Sequence, residues 1–442
     1  MISMLNLDIL AGKTLAYSTL GCKLNFAETS SIASSLKVLG VVNAKEGEPA
    51  DICIVNTCTV TDVADSKGRQ AIKKIIRQNP NALVVVTGCY AQLKHNEIAH
   101  IPGVDIVVGA EHKSQIIPLI VDAIQSKVPL GNYETSIDKK NEEFFPSCSH
   151  GDRTRYFLKV QDGCNYFCTY CTIPYARGRS RNGSVSSIVE QAKIVAEEGG
   201  KEIVLTGVNT GDFGRSTGES FIQLLKELDK VDGISRFRIS SIEPNLLTDD
   251  IIQFCADSEK FMPHFHIPLQ SGSDEVLKLM RRRYDTNFFR QKIETVKRLI
   301  PDAFIGVDVM VGCRGEIPEY FEKALQFVDS LPISQLHVFS YSERPGTKAL
   351  DIQYVVDPRV KHERSMQMIE LSDRKTEYFY SQFIDTIRPV LFEHSSNNRY
   401  MYGFTDNYIR VQAKVIPEMF NTIQMVKLSV FNTRHDALTA SL

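Results

Sequence analysis

The sequence predicts an α/β multidomain chain: an N-terminal Rossmann-like parallel-sheet domain, a central partial (β/α)6 barrel and a small C-terminal β-domain. Three observations predict it. A length of 442 residues exceeds what one hydrophobic core normally organises. Short Val/Ile-rich runs alternate with helical stretches in two successive blocks, the pattern of parallel strands buried on both faces. After about residue 384 that rhythm gives way to strand-like runs broken by turn residues. The expected divisions are 1–127, a linker at 128–152, 153–384 and 385–442.

In the first block, strands are expected at Leu15–Ser18, Asp51–Val55, Leu83–Thr87 and Val104–Val108, with helices over 28–39 and 62–77. Residues 128–152 are polar and aperiodic. In the second block, six candidate strands (Phe157–Val160, Glu202–Thr206, Arg236–Ser240, His264–Pro268, Ala303–Val309, Gln335–Ser340) are separated by helical segments such as Ser187–Glu198, Phe221–Leu228 and Asn287–Leu299. Six such units make a partial version of a barrel that needs eight. A helix near Arg364–Ile384 leads to antiparallel strands at Pro389–Glu393, Tyr402–Val415 and Ile423–Phe431, interrupted by Gly403 and Thr405–Asn407.

Composition narrows the class. Hydrophobic residues are 43% and charged residues 24%, as in globular proteins. No apolar run reaches the roughly 18–20 residues of a membrane helix, and Met1–Leu10 lacks a basic segment before an apolar one, so a cytoplasmic protein with no membrane association is expected. The net charge of −2 confines any nucleic-acid surface to local patches. Residues 151–184 hold six basic against two acidic residues, and Arg281–Arg283 is a second basic run whose bland reading is a solvated face. Ten cysteines are too sparse for a disulfide scaffold.

The strongest chemical signal is Cys164, Cys168 and Cys171, spaced C-x3-C-x2-C after a strand and Asp162–Gly163. Three thiolates this close bind three corners of a [4Fe–4S] cluster and leave one iron open. An open iron can hold S-adenosylmethionine, whose sulfonium one electron then cleaves. Structural zinc is the competing reading, but it normally takes four ligands and no fourth Cys or His follows within a dozen residues. Tyr170 beside the last cysteine fits the radical pattern. Cys22, Cys58 and Cys89 come after three predicted parallel strands, whose carboxyl ends face one crevice in a doubly wound sheet. A second cluster with one open iron is one reading of this trio. Burial as small apolar side chains is the other, and it suits Cys53, Cys255 and Cys313.

These residues resemble the radical S-adenosylmethionine methylthiotransferase family. Gly-Cys-Lys-Leu-Asn (21–25), Asn-Thr-Cys-Thr-Val-Thr (56–61) and Thr-Gly-Cys-Tyr-Ala-Gln (87–92) look like its N-terminal domain. Gln161–Gly178, with its Ile-Pro-Tyr-Ala-Arg-Gly, looks like its radical signature, and Gly-Phe-Thr-Asp-Asn-Tyr-Ile-Arg-Val (403–411) is similar to its small RNA-binding TRAM barrel. The resemblance implies two [4Fe–4S] clusters and two S-adenosylmethionine molecules. The set Cys164, Cys168, Cys171 would make a 5′-deoxyadenosyl radical. The set Cys22, Cys58, Cys89 would supply sulfur, which one S-adenosylmethionine methylates, and –SCH3 would replace hydrogen on the substrate. The partners implied are a tRNA anticodon stem-loop and a reductant protein such as flavodoxin or ferredoxin, acting on a monomer.

Three subfamilies compete: one acts on isopentenyladenosine in tRNA, one on a ribosomal-protein aspartate, one on N6-threonylcarbamoyladenosine at position 37 of tRNA. Gly207–Gly214, Arg238–Pro244 and His-Val-Phe-Ser-Tyr-Ser-Glu-Arg-Pro-Gly-Thr (337–347) look most like the last. A non-enzymatic iron–sulfur or zinc protein that binds RNA is the remaining alternative. By their positions at strand ends, Gly207, Asn209, Ser241, Glu243 and Gln270, together with Asp308 on the fifth strand, are candidates to contact S-adenosylmethionine. Arg177 and Arg179 are candidates for the substrate, as are Tyr402, Tyr408 and Arg410 of the terminal domain. His264 and His266 are expected to be structural. The chain departs from the family at Gly-Cys-Arg-Gly-Glu (312–316), where many members carry Gly-Phe-Pro-Gly-Glu. From Pro389 onward it has only five basic residues against four acidic ones.

Overall fold

The computed structural model describes residues 6–45, 47–126, 143–151, 153–395 and 399–441. The chain forms two compact units. One comprises Met1–Asp152, Phe157–Phe167 and Cys171–Gly183; the other comprises Arg153–Tyr156, Cys168–Tyr170 and Ser184–Leu442.

The first unit is built on five parallel strands, β1 (Thr14–Thr19), β2 (Val42–Asn43), β3 (Ile52–Thr57), β4 (Leu83–Gly88) and β5 (Ile106–Gly109), in the order β2-β1-β3-β4-β5. Helices α1 (Lys23–Val38), α2 (Asp62–Gln78), α3 (Cys89–Leu93), α4 (His95–Ala99) and α5 (Ile116–Ser126) connect them. Strand alternation explains why the runs read as uniformly apolar. Ile52, Ile54 and Val85 pack on Leu36 of α1 and on Ile116 and Ile120 of α5, while Cys53, Val55, Val84 and Val86 pack on Ile72 and Ile75 of α2. Each fully buried side chain of this size contributes about 1.5–3 kcal/mol, so a single Val→Asp change in β4 would break the domain. Thr61 starts α2 by accepting the Ala64 N–H at 3.1 Å, with Asp62 and Asp65 at its positive end.

Most of the expected linker lies outside the described residues. In its last part, β6 (Ser147–Cys148) pairs antiparallel with β7 (Arg155–Lys159), and the Ser31 hydroxyl bonds the Cys148 backbone. Strands β8 (Gln161–Asp162) and β9 (Arg181–Asn182), with α6 (Ile173–Arg177) between them, complete the unit.

In the second unit, β10 (Glu202–Thr206) pairs parallel with β11 (Arg236–Ile239), and β12 (His264–Gln270), β13 (Phe304–Val311) and β14 (Gln335–Ser340) form a parallel triplet. Bridges at Phe237–Phe261 and Ser241–His266 join the two sets. With β7, these are the six strands expected of the partial barrel. Helices α7 (Val185–Glu197), α8 (Phe221–Asp229), α9 (Asp249–Asp257), α10 (Asp274–Leu279), α11 (Thr286–Leu299), α12 (Pro318–Ser330) and α13 (Pro358–Ser381) alternate with them. The chain ends in a closed barrel of β15 (Ile387–Phe392), β16 (Tyr400–Thr405), β17 (Arg410–Lys414), β18 (Ile423–Phe431) and β19 (Leu438–Ser441). Closure differs from the expected antiparallel pattern at one edge, where β17 and β19 run parallel. Buried Arg236 and Arg238 of β11 fix this barrel by donating to the carbonyls of Pro389, Phe404, Thr405 and Asp406.

Candidate functional site

Cys22, Cys58 and Cys89 each sit just past the carboxyl end of a parallel strand. Cys22 caps α1, Cys58 follows β3, and Cys89 opens α3. Two glycines let these turns touch. At Gly21 (φ +100°) a Cβ would lie 2.7 Å from the Cys58 Cβ, and at Gly88 (φ +101°) it would lie 2.3 Å from the Thr57 carbonyl oxygen. Side chains tie the turns together. Asn25 Nδ2 donates to the carbonyls of Leu20 (2.7 Å) and Thr57 (3.1 Å), and Thr57 Oγ1 donates to the Thr87 carbonyl at 2.6 Å. Burial pushes the Cys58 thiol up to about 11 and also raises Cys89. The neighbouring sulfurs raise both further, and Arg177 pulls both down.

Beside the thiols lies a buried ionic network. Glu28 accepts from Lys113, from Lys159 at 2.8 Å and from Arg177 at 3.0 Å; Asp162 accepts from Lys159 at 2.6 Å, Arg177 at 2.9 Å and Arg181 at 3.2 Å. Arg177 also donates to Asn25 Oδ1 at 2.6 Å, and Asn25 Nδ2 reaches the Thr57 carbonyl beside Cys58. Burial works against the charged form of both carboxylates, but the cations, Arg177 foremost at Glu28 and Lys159 at Asp162, hold them well below the usual carboxylate range. Buried cations favour an anion close by. Arg177 lowers both Cys58 and Cys89, and three thiolates on iron would be such an anion, so donor set and surroundings both fit an iron–sulfur cluster.

Cys164, Cys168 and Cys171 occupy the turn after β8. Gly163 (φ +67°) is required there, since a Cβ would fall 2.0 Å from the Arg179 carbonyl oxygen. In the first unit, the Tyr166 N–H points at Cys164 Sγ and the Ile173 N–H at Cys171 Sγ, both at 3.4 Å. In the second, Arg282 donates to Cys168 Sγ at 3.1 Å and pairs with Glu243. Donors aimed at sulfur suit thiolates that share the charge of a cluster. Arg282 is the residue that sequence reasoning missed. Within the apparently solvated Arg281–Arg283, the left-handed turn at Arg281 (φ +58°) accompanies an inward Arg282 side chain, 2% exposed and over the Tyr284 ring.

The other candidates divide. Gly207, Asn209, Ser241, Glu243 and Gln270 lie at the carboxyl ends of β10, β11 and β12. Asn209 Oδ1 accepts the Glu243 N–H at 3.4 Å, and Gln270 adopts φ +72° at a register shift in β12. Tyr170 packs beside Val276 and Met280. Asp308 is not at a strand end; it lies mid-strand, bonded to His266 and His337. Arg177 is corrected from substrate contact to buried ion-pair partner, because Glu28, Asp162 and Asn25 already take its donors. Tyr408 is corrected too: it packs on His264 (4.1 Å) and Phe404 (4.8 Å) rather than offering a face to a base. His264 stacks on Phe304 as well. Arg410 pairs with Asp436 and lies 4.3 Å over the Tyr402 ring, and Arg179 is exposed. Cys53, Cys255 and Cys313 are buried as small apolar side chains. At the departure 312–316, Glu316 accepts the Gly312 N–H and pairs with Arg364, so the turn is held without the proline.

Residues 158–328 match the family described as the radical SAM superfamily, and residues 14–109 match the uncharacterized protein family UPF0004. The chain is 40% identical to the threonylcarbamoyladenosine tRNA methylthiotransferase MtaB of Bacillus subtilis, over 94% of this chain and 93% of that one. It is 36% identical to the MtaB of Aquifex aeolicus (93% and 99%) and 33% identical to the tRNA-2-methylthio-N(6)-dimethylallyladenosine synthase of Clostridium tetani (87% and 86%). Among solved structures, the radical S-adenosylmethionine methyltransferase TsrM of Kitasatospora setae shares the fold, with a TM-score of 0.54 and 15% identity over 76% of this chain and 74% of that one. The cysteine sets and the partial barrel thus define a radical S-adenosylmethionine protein. The chain belongs to the methylthiotransferase family, whose members use two [4Fe–4S] clusters and S-adenosylmethionine.

Proposed function

We propose that this chain converts N6-threonylcarbamoyladenosine at position 37 of tRNA to its 2-methylthio derivative. The observation that carries the reading is the convergence of Cys22, Cys58 and Cys89 beside the buried cations Arg177 and Lys113, in a chain 40% identical to an MtaB enzyme. Cys164, Cys168 and Cys171 would hold the cluster that binds S-adenosylmethionine; Cys22, Cys58 and Cys89 would hold the sulfur-donating one. When bound, these groups supply the one-electron cleavage of the sulfonium and the transferred sulfur. An aromatic C–H has no acidity that a side-chain base could use, so the protein's part is positioning and exclusion of water.

Arg282 would hold Cys168 and Glu243 in fixed relation, so that Glu243, Ser241, Asn209, Gly207, Gln270 and Tyr170 meet S-adenosylmethionine. Arg177 and Lys113 would offset the charge of the sulfur-donating site. Residues 1–127, 153–384 and 385–442 act as sulfur-donor, radical and RNA-contact modules, with Arg179, Tyr402 and Arg410 on the RNA. The enzyme works as a cytoplasmic monomer reduced by a flavodoxin- or ferredoxin-like protein. No helix among the described residues is long and apolar enough to cross a membrane.

Anaerobic incubation of the reconstituted protein with tRNA, S-adenosylmethionine and a reductant, followed by mass spectrometry of nucleosides, tests the reading. The expected product is 2-methylthio-N6-threonylcarbamoyladenosine. Product only from dimethylallyladenosine would assign the chain to the activity named for its Clostridium tetani relative, and modification of a protein aspartate alone would move it outside RNA chemistry.

A further inference from the structure

Three polar side chains meet on one side of the parallel triplet, and neither cysteine set uses them. His266 Nε2 lies 2.6 Å from Asp308 Oδ1, and His337 Nδ1 lies 3.2 Å from the same oxygen. They come from β12, β13 and β14, with Asp308 in register with His337. The His337 ring also lies against Gly306, two residues before Asp308, with its Cε1 3.8 Å from where a Cβ would sit there. Two residues beyond His337 on the same side, Phe339 is 49% exposed, a large apolar ring left uncovered beside a polar cluster. Aromatic faces and a few placed polar groups are what fix a ligand's orientation where it binds.

We infer that His266, Asp308 and His337 form the seat for the threonylcarbamoyl group of the substrate, with Phe339 as the shelf for the purine ring. The inference rests on the substrate proposed above. The group carries a hydroxyl and urea N–H donors, which need acceptors. Each imidazole turns one N–H to Asp308, so its other nitrogen accepts, and the Asp308 carboxylate adds further lone pairs. Burial raises the Asp308 carboxyl, but the two histidine bonds outweigh it and hold it below its usual range, so the acceptor stays ionised. The same seat disfavours an all-hydrocarbon substituent such as dimethylallyl, which would desolvate three polar groups and return no hydrogen bond.

A cation could be held by the same three residues, whose candidate ligand atoms lie within 4.8 Å of one another. The bonding favours the organic ligand, because both rings already turn a nitrogen to one carboxylate oxygen and satisfy it without a metal. His337 is also the first residue of the string that resembles the threonylcarbamoyl subfamily, which ties the seat to substrate choice rather than to radical formation.

The test is a competition measurement on the reconstituted holoprotein. It uses two anticodon stem-loops, identical except for threonylcarbamoyladenosine or dimethylallyladenosine at the target position. The wild type should prefer the first by roughly ten-thousandfold, the scale on which hydrogen-bonding sites reject an analogue that lacks the bonded groups. His337→Leu and His266→Leu should each lower that ratio by about tenfold, the cost of leaving one buried donor without its partner. His337→Gln, which keeps an acceptor, should recover part of it. Phe339→Ala should weaken both RNAs alike, because the shelf meets the ring they share. Iron content and circular dichroism verify that each variant is folded. An unchanged ratio in both histidine variants overturns the inference, as does a stoichiometric non-iron metal that His337→Leu releases. A wild type that prefers the dimethylallyl RNA refutes the substrate reading itself, and this is distinguishable because it needs no variant.

Discussion

The two cysteine sets solve one coordination problem by opposite means. Cys164, Cys168 and Cys171 are brought together by eight consecutive residues, and a glycine turn with a few N–H donors suffices to aim them. Cys22, Cys58 and Cys89 are spread over 68 residues and meet only because β1, β3 and β4 are neighbours in one parallel sheet. Their surroundings differ in the same sense. Cys168 has one arginine, Arg282, whereas the distant trio sits beside six buried charged groups recruited from 28, 113, 159, 162, 177 and 181. A locally encoded site needs little support, and a site assembled by topology needs a scaffold that fixes every contributing loop.

That contrast can be broken most directly at the sulfurs. Cys168→Ala and Cys89→Ala should each abolish methylthiolation, and each should lower iron after anaerobic reconstitution from about eight to about four per chain. Loss of all iron from either variant would mean that the sites are not independent.

The next effect concerns the scaffold. Arg177→Leu strands Glu28 and Asp162 in the interior and should destabilise the first unit by about 3–5 kcal/mol, read from urea unfolding. A change below about 1 kcal/mol would show that the network contributes little to folding.

A smaller effect is its dependence on pH. Glu28 and Asp162 have folded-state pKa values below those of the unfolded chain. Their stabilisation is therefore fully present above about pH 4–4.5, the unfolded carboxyl range, and is lost as pH falls from there toward the folded values. The unfolding midpoint should drop below about pH 4.5 in the wild type, and less steeply in Arg177→Leu, which has already lost part of the network.

Strand order and the six βα units were legible because apolar runs flanked by turns have few other solutions. So were the cysteines, since spacing and strand ends are sequence properties. Charged side chains were not. Arg177 and Arg282 look in sequence like any exposed arginine, and only the packed structure reveals that their partners sit 149 and 114 residues away. Tyr408 was misread for the same reason, because a turn aromatic carries no mark saying whether it faces solvent or the neighbouring strands. The pairing of His266 with Asp308 and His337 was hidden by distance too, although alternation along β12 placed His266 on a definite side.

The ion network also sets an order of events during synthesis. Glu28 emerges early from the ribosome, but Lys159 and Arg177, two of its three cationic partners, arrive more than 130 residues later. Until then, a nascent chain that ends with α5 at Ser126 has Lys113 alone to neutralise a carboxylate buried beside its sheet. The N-terminal sheet thus keeps Glu28 short of two cationic partners until the turn bearing the second cysteine set has been made.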